Sequence, residues 1–359
     1  MALLHVPHTL FDILLFYGTS VSKYVYVGML AQHGRIPPIL YMRKDEKTML
    51  NIYKTNAMGK IEVLDQFEKG CWIHLTDPSE QEKQQVVREL AIDLDFLQDA
   101  LDDEEIGRID KDGNRVMLYV DIPISTKEGT KDNYTTVPLG IMVMEDYILT
   151  VCLVETAVMN EFVQGKVKNF HTHMSNRFVL QILSNTSHDY LHYLKKINKQ
   201  TETLEKSLRQ STKNNELLTL LELQKGLVYF STSLETNSLL ISLLRSGSYL
   251  KMYEEDKALL EEVKIETKQA IKMTEIYTAI LGNIMNGFGS VISNNLNRVV
   301  KLLTAITIVI TLPMVIGTFY GMNVALPFQD HPHAFTIIMI MSTTITSVTA
   351  LLFWRKRYF

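Results

Sequence analysis

Cysteine is nearly missing: Cys71 and Cys152 are the only two in 359 residues, and they stand far apart. That spacing argues against a disulfide framework or a thiolate metal site, and a reducing compartment fits most of the chain. Excess positive charge is also lacking. The formal net charge is -4, so bulk electrostatics give no reason to expect nucleic acid as a partner. There is no Walker-type glycine loop, which leaves ATP-driven transport without support. No Ser, Cys or His constellation suggests hydrolysis. The chain reads as a non-enzyme without an organic cofactor.

The most informative lack is local. From Leu302 to Gln329 there is no charged residue, and from Ala334 to Trp354 there is none either. The runs "LLTAITIVITLPMVIGTF" and "AFTIIMIMSTTITSVTALLFW" each approach the roughly 20 residues that a helix needs to cross a bilayer. A buried helix in a soluble core is the alternative for one such run, and a poor one for two in succession. Arg298 and Lys301 precede the first run, and Arg355, Lys356 and Arg357 follow the second, whereas the connection has no Lys or Arg. The positive-inside rule then places both termini in the cytoplasm and the connection outside, in a cell membrane.

What is present ahead of these spans divides further. Residues 1–48 lack both a full span and a convincing signal peptide, and are expected to be an extension, read as arising from a misassigned start codon. Residues 49–154 mix strand-like alternation ("NIYKT", "KIEVLDQF", "CWIHL", "NRVMLYVDIPIS", "YTTVPLGIMVMED", "YILTVCLV") with two helical stretches. One of these, "DPSEQEKQQVVRELAI", opens on a capping signature. Residues 155–250 carry helical periodicity and suit an αα-hairpin. Residues 251–301 form a stalk helix that runs into a first span at 302–319. A loop at 320–333, a second span at 334–354 and a basic tail at 355–359 complete the organisation. The fold class is an α/β cytoplasmic domain plus a long helical stalk and two C-terminal transmembrane helices, mainly helical overall.

Two spans cannot enclose an aqueous path, so a pore requires several copies about one axis. Along the first span Thr304, Thr307, Thr311, Met314 and Thr318 recur at steps of three and four, on one helical face. Val300 and Asn297 extend that face inward, and Leu303 borders it. A hydroxyl stripe can line water or meet an ion's hydration shell, with Val300, Leu303 and Met314 as apolar constrictions. The competing reading is that the threonines bond their own helix backbone or pack against another helix.

Gly321-Met322-Asn323, preceded by Tyr320 and set directly after a first C-terminal span, resembles the signature of the CorA family of divalent-cation channels. The long helix ahead of the span, the short loop, the basic tail, "CWIHLTDPSEQEKQQV" and "FLQDALDDEEIGRI" are similar to family segments as well, from about Met49 to the end. The resemblance implies a funnel-shaped homopentamer in the lipid bilayer that passes Mg²⁺, with Co²⁺ or Ni²⁺ as further ions. It makes Gly321, Met322 and Asn323 the ion entrance and selectivity element. Mg²⁺ parts with its waters reluctantly, and a ring of Asn323 carbonyls offers neutral oxygens to a hydrated ion. Gly321 is expected to permit a tight backbone exit from the helix. The resemblance also matches Asp99 and Glu262 with regulatory carboxylates that bind Mg²⁺ between neighbouring subunits and hold the channel shut. The run Asp102–Glu105 reads as a solvated face, and Asp330, His331 and His333 as a polar loop. Two alternatives stay open: a relative favouring Zn²⁺, Co²⁺ or Ni²⁺, and a membrane-anchored helical scaffold without transport.

Overall fold

The computed structural model describes residues 49–359 except 57–58, 129–130, 211–213, 248, 325–326, 328–330, 357 and 359. The expected extension 1–48, Asp330 and Arg357 lie outside the described residues.

The most apolar strands sit at the centre of the sheet. β3 (Cys71–Thr76) and β7 (Tyr147–Cys152) are buried nearly throughout and pair in parallel. Sheets covered on both faces carry such continuous apolar runs. Among the described residues seven strands take the order β2-β1-β3-β7-β6-β5-β4, and every pair other than β3–β7 is antiparallel. β1 is Leu50–Thr55 and β2 is Ile61–Leu64. β5 (Arg115–Glu128) and β6 (Lys131–Val143) form a long hairpin. β4 (Arg108–Asp112) closes the edge and was not expected, because "RIDKD" lacks alternation and the following "KDGN" reads only as a turn. That turn is real: Gly113 holds φ +56° between the paired residues Asp112 and Arg115, a conformation that side chains disfavour.

One face of the sheet is covered by α1 (Glu80–Leu90) and α2 (Leu94–Asp99). Ile73, Leu75, Val86, Phe96, Leu97, Ala100 and Val151 form its core. The Ser79–Glu82 capping box starts α1. Glu82 also accepts the backbone N–H groups of Met49 and Leu50, at 2.7 and 3.1 Å, and so ties the helix to β1. Burial alone would raise the Glu82 carboxyl, but the bonds from Ser79, Met49 and Leu50 hold it below its ordinary value. α2 crosses β6 where Gly140 leaves room. A Cβ added there would stand 2.4 Å from the Ala100 methyl.

The opposite face packs Trp72, Leu118, Ile122 and Leu139 against α3 (Ala157–Val163), α4 (Ser175–Gln210), α5 (Asn214–Arg245) and the start of α6 (Glu254–Tyr320). Trp72 is fully buried among Phe162, Phe170 and Phe178, and its indole N–H donates to Thr150 at 2.7 Å. Tyr190, Leu194, Leu223, Phe230 and Ala270 form a third core between α4, α5 and α6.

α6 (Glu254–Tyr320) is one continuous helix of 67 residues, about 100 Å at 1.5 Å per residue. Ser187 meets Thr267 at 2.9 Å, and Arg245 pairs with Glu261 at 2.8 Å, tying α4 and α5 to its first third. α7 (Ala334–Arg355) packs back against its last third. By length and composition α6 and α7 are both apolar enough to cross a membrane.

Asp189 on α4 supplies a pH-dependent prediction. Burial, reinforced by the nearby Glu161 carboxylate, pushes its carboxyl up to about 6, and its Oδ2 has no hydrogen-bond partner among the described residues. The folded state therefore holds a proton that the unfolded chain releases near pH 4. Stability from this group falls as pH rises from about 4 to 6 and stays lost above that. Asp189→Asn should raise Tm by roughly 1–2 °C at pH 7.5, the effect of a change near 1 kcal/mol on a chain of 359 residues. At pH 4 the difference should vanish, and thermal melts at the two pH values check it.

Candidate functional site

The face of α6 that meets α7 can be read from burial. Ala305 is closed off completely, Val309, Leu312, Ile316 and Tyr320 are half-buried, and Ser342 is the buried residue of α7. Small side chains at such a crossing let two helices approach closely. At 100° per residue these positions centre about 160° from the line through Val300, Thr304, Thr307, Thr311, Met314 and Thr318. The threonine stripe thus lies on the opposite side from α7. Every member is exposed in the single chain, as is Asn297 at its inner end. Val300, Leu303 and Met314 are 52%, 64% and 65% exposed.

Each threonine hydroxyl on the stripe donates to the carbonyl four residues earlier. Thr304, Thr307 and Thr318 do so at 2.8 Å and Thr311 at 2.7 Å. This backbone bonding was one of the two readings of the sequence, and it does not exclude the other. A hydroxyl whose hydrogen is spent on its own helix keeps its oxygen lone pairs. Waters around a cation point their hydrogens outward, and lone pairs accept them.

α6 ends at Gly321, whose N–H donates to Gly317 and Thr318 at 3.0 and 3.2 Å. Its φ of −85° and ψ of −2° are open to any residue, and an added Cβ would meet only those carbonyls, at 3.5 Å. The expected tight exit is therefore corrected: among the described residues of one chain nothing requires a glycine here. Met322 and Asn323 follow, exposed, in the turn after the helix. The Tyr320 hydroxyl donates to the Pro327 carbonyl at 3.3 Å and fastens the connection to the helix end. His331 accepts from the His333 N–H at 3.2 Å just ahead of α7. Among the described residues no group of three or more His, Cys, Asp or Glu could hold a metal.

The two expected regulatory carboxylates lie on different elements. Asp99 ends α2, and Glu262 is exposed on α6. Neither shares a hydrogen bond or ion pair with the other among the described residues. Asp99 is engaged instead by Arg108, whose Nη2 donates to its Oδ2 at 2.8 Å. Arg108 also pairs with Glu105 and Asp110 and lies over the Tyr119 ring, 4.2 Å from its centroid. Burial, with the Asp99 carboxylate next in effect, pushes the Tyr119 phenol well above its ordinary value. Near Glu262, Glu266 lies 3.2 Å from His188 and is raised by burial, with the Glu262 charge adding to the rise and His188 opposing it. Sequence reading missed Arg108. The one signal was a lone arginine within "DDEEIGRIDKD".

The model of a family described as "CorA-like Mg2+ transporter protein" matches residues 67–357. A cobalt/magnesium transport protein CorA of Methanocaldococcus jannaschii is 26% identical over 290 residues, which cover 79% of this chain and 90% of that one. A magnesium transport protein CorA of Helicobacter pylori is 28% identical over 166 residues, 45% of this chain and 51% of that protein. The complete structure of the M. jannaschii CorA magnesium transporter superposes with a TM-score of 0.72 at 25% identity, covering 86% of this chain and 98% of that one. The full-length CmaX protein shares the fold, with a TM-score of 0.65 at 16% identity over 88% of this chain and all of that one. With a family model that spans most of its length and a relative matched over nearly its whole extent, the chain belongs to the CorA family.

Proposed function

We propose that the chain is one subunit of a homopentameric channel that admits Mg²⁺ across the cell membrane, with both termini inside. The observation that carries this reading is the polar stripe of α6. It faces away from α7, is exposed along its whole length, and leads to the Gly321-Met322-Asn323 turn. Five such faces turned to a common axis make a water-filled path without asking two helices to enclose one. The family relatives named for magnesium and cobalt transport support Mg²⁺ as cargo and Co²⁺ as a second ion.

The ion meets a ring of Asn323 amides at the outer mouth, where neutral oxygens accept hydrogen bonds from its bound water. It descends past Thr318, Thr311, Thr307 and Thr304, whose oxygens repeat that contact, to Asn297. Val300, Leu303 and Met314 offer no lone pairs of comparable strength, so a narrowing there closes the path by expelling water. The inward voltage gives a divalent ion about 4.6 kcal/mol per 100 mV, twice the value for one charge, and no chemical step is needed.

Gating follows from Asp99 and Glu262 on neighbouring subunits. Their mutual repulsion loosens the interface, and a bound Mg²⁺ removes it. Purified protein in liposomes should take up Mg²⁺ along its gradient, and internal Mg²⁺ should suppress the uptake. The double variant Asp99→Asn/Glu262→Gln should need at least tenfold more internal Mg²⁺ for the same suppression. Absence of uptake refutes the channel, and unchanged suppression refutes these two carboxylates.

A further inference from the structure

We propose that Arg108 is a tethered competitor of the divalent cation at Asp99 and sets the concentration at which that regulatory site fills. The inference rests on the reading of Asp99 just given and adds a residue to it.

The arginine is held so that it cannot leave easily. Its Nη2 donates to Asp99 and its Nε to Asp110, each at 2.8 Å, and its Nη1 to Glu105. Its Cζ lies over the Tyr119 ring, 4.2 Å from the centroid. Each of the three guanidinium nitrogens takes a different carboxylate, a spread of donors that the arginine fork offers in one rigid group. α2 supplies Asp99, the segment before β4 supplies Glu105, and β4 supplies both Arg108 and Asp110. One side chain thus joins the end of the helix to the edge strand and fixes where Asp99 stands.

Charge and exposure give this arrangement its consequence. Three carboxylates around one guanidinium leave two negative charges, the charge of one divalent cation. The Asp99 and Asp110 side chains are 39% and 47% exposed, so a solute ion reaches them. A cation arriving at Asp99 shares that carboxylate with a positive charge already 2.8 Å away. Without the arginine the same carboxylates would hold the ion more tightly. A unit charge acting on a divalent ion at about 5 Å in water changes binding by roughly tenfold. Salt screening reduces this, so the expected range is about three- to tenfold. The arginine therefore keeps the site weak enough to empty when internal Mg²⁺ falls, while Asp99 stays in place.

The test uses the full chain in liposomes, titrated with MgCl₂. It reads two midpoints, the internal Mg²⁺ that halves uptake and the Mg²⁺ that half-protects the protein from trypsin. Arg108→Gln should lower both midpoints about three- to tenfold. Arg108→Lys, which keeps the charge, should leave them within about twofold of the wild type. Asp99→Asn should raise both at least tenfold. If Arg108→Gln elutes as aggregate, Arg108→Met takes its place and keeps an apolar stem over Tyr119. Asp99→Asn raising the midpoints while Arg108→Gln, or Arg108→Met in its place, leaves them unchanged or raises them overturns the role of Arg108 alone. Asp99→Asn without effect overturns the Asp99 reading and this inference with it.

Discussion

Asn323→Ala should reduce Mg²⁺ uptake into liposomes at least tenfold, with the protein still assembled and still protected from trypsin by internal Mg²⁺. Asn323 is exposed in the turn after α6, so its loss should act on the ion rather than on the fold. In a fivefold assembly one substitution removes five amides. A hydrogen bond to a charged partner contributes about 1.5–3 kcal/mol, and 1.4 kcal/mol is already a factor of ten. Losing even one such bond to the hydrated ion at the mouth therefore suffices. Asn323→Asp keeps the oxygens and adds charge. It should tighten Mg²⁺ binding and still slow flux, because an ion that conducts must also leave. Val324→Ala, one residue along and also exposed, should leave uptake unchanged. Equal flux in wild type and Asn323→Ala would remove the amide ring from the mechanism.

Gly140→Ala should cost about 3 kcal/mol or more, at the upper end of what overpacking does. The added methyl would stand 2.4 Å from the Ala100 Cβ and 3.3 Å from the Phe96 ring. Neither side can yield cheaply, since Gly140 is buried in a strand paired on both sides and Ala100 is the fully buried C-cap residue just after α2. Relief requires α2 to lift from the sheet, and α2 carries Asp99. The variant should therefore lose thermal stability by several degrees and lose Mg²⁺ protection as well. Ala100→Gly in the same chain removes the colliding methyl and should restore both in large part. Thermal melts with and without Mg²⁺ measure the pair. A Gly140→Ala protein as stable as wild type would show that the helix sits elsewhere.

These contacts also show where sequence reading ends. Alternation in "CWIHLT" and "YILTVC" identifies the central strands, because burial on one face or both leaves a local pattern. Ser79 and Glu82 announce α1 for the same reason: the cap is made by residues three apart. The extension of that cap to the N–H groups of Met49 and Leu50 joins positions more than thirty residues apart and leaves no local trace. The edge strand β4 escaped because its residues are mostly polar and half exposed. Asn237, whose amide exchanges bonds with the Asp121 backbone at 2.8 and 3.1 Å, looked like any polar residue within α5. On α6 the threonine spacing was legible. Only the packing of Ala305 and its neighbours against α7 shows that the stripe faces the other way. Gly321 was given a reason that its own backbone angles do not support.

The orientation of that stripe is the central claim, and the scarcity of cysteine makes it directly measurable. Cys71 and Cys152 are both buried, so a cysteine introduced on α6 is the thiol that a charged, water-borne methanethiosulfonate reagent meets. Thr311→Cys and Thr304→Cys channels should conduct Mg²⁺ and then lose most of their flux when treated, because the added positive charge stands in the path. Val309→Cys, on the side that meets α7, should be unaffected. Block at Val309 with Thr304 and Thr311 insensitive would contradict the account, since the aqueous path would then run along the other side of the helix.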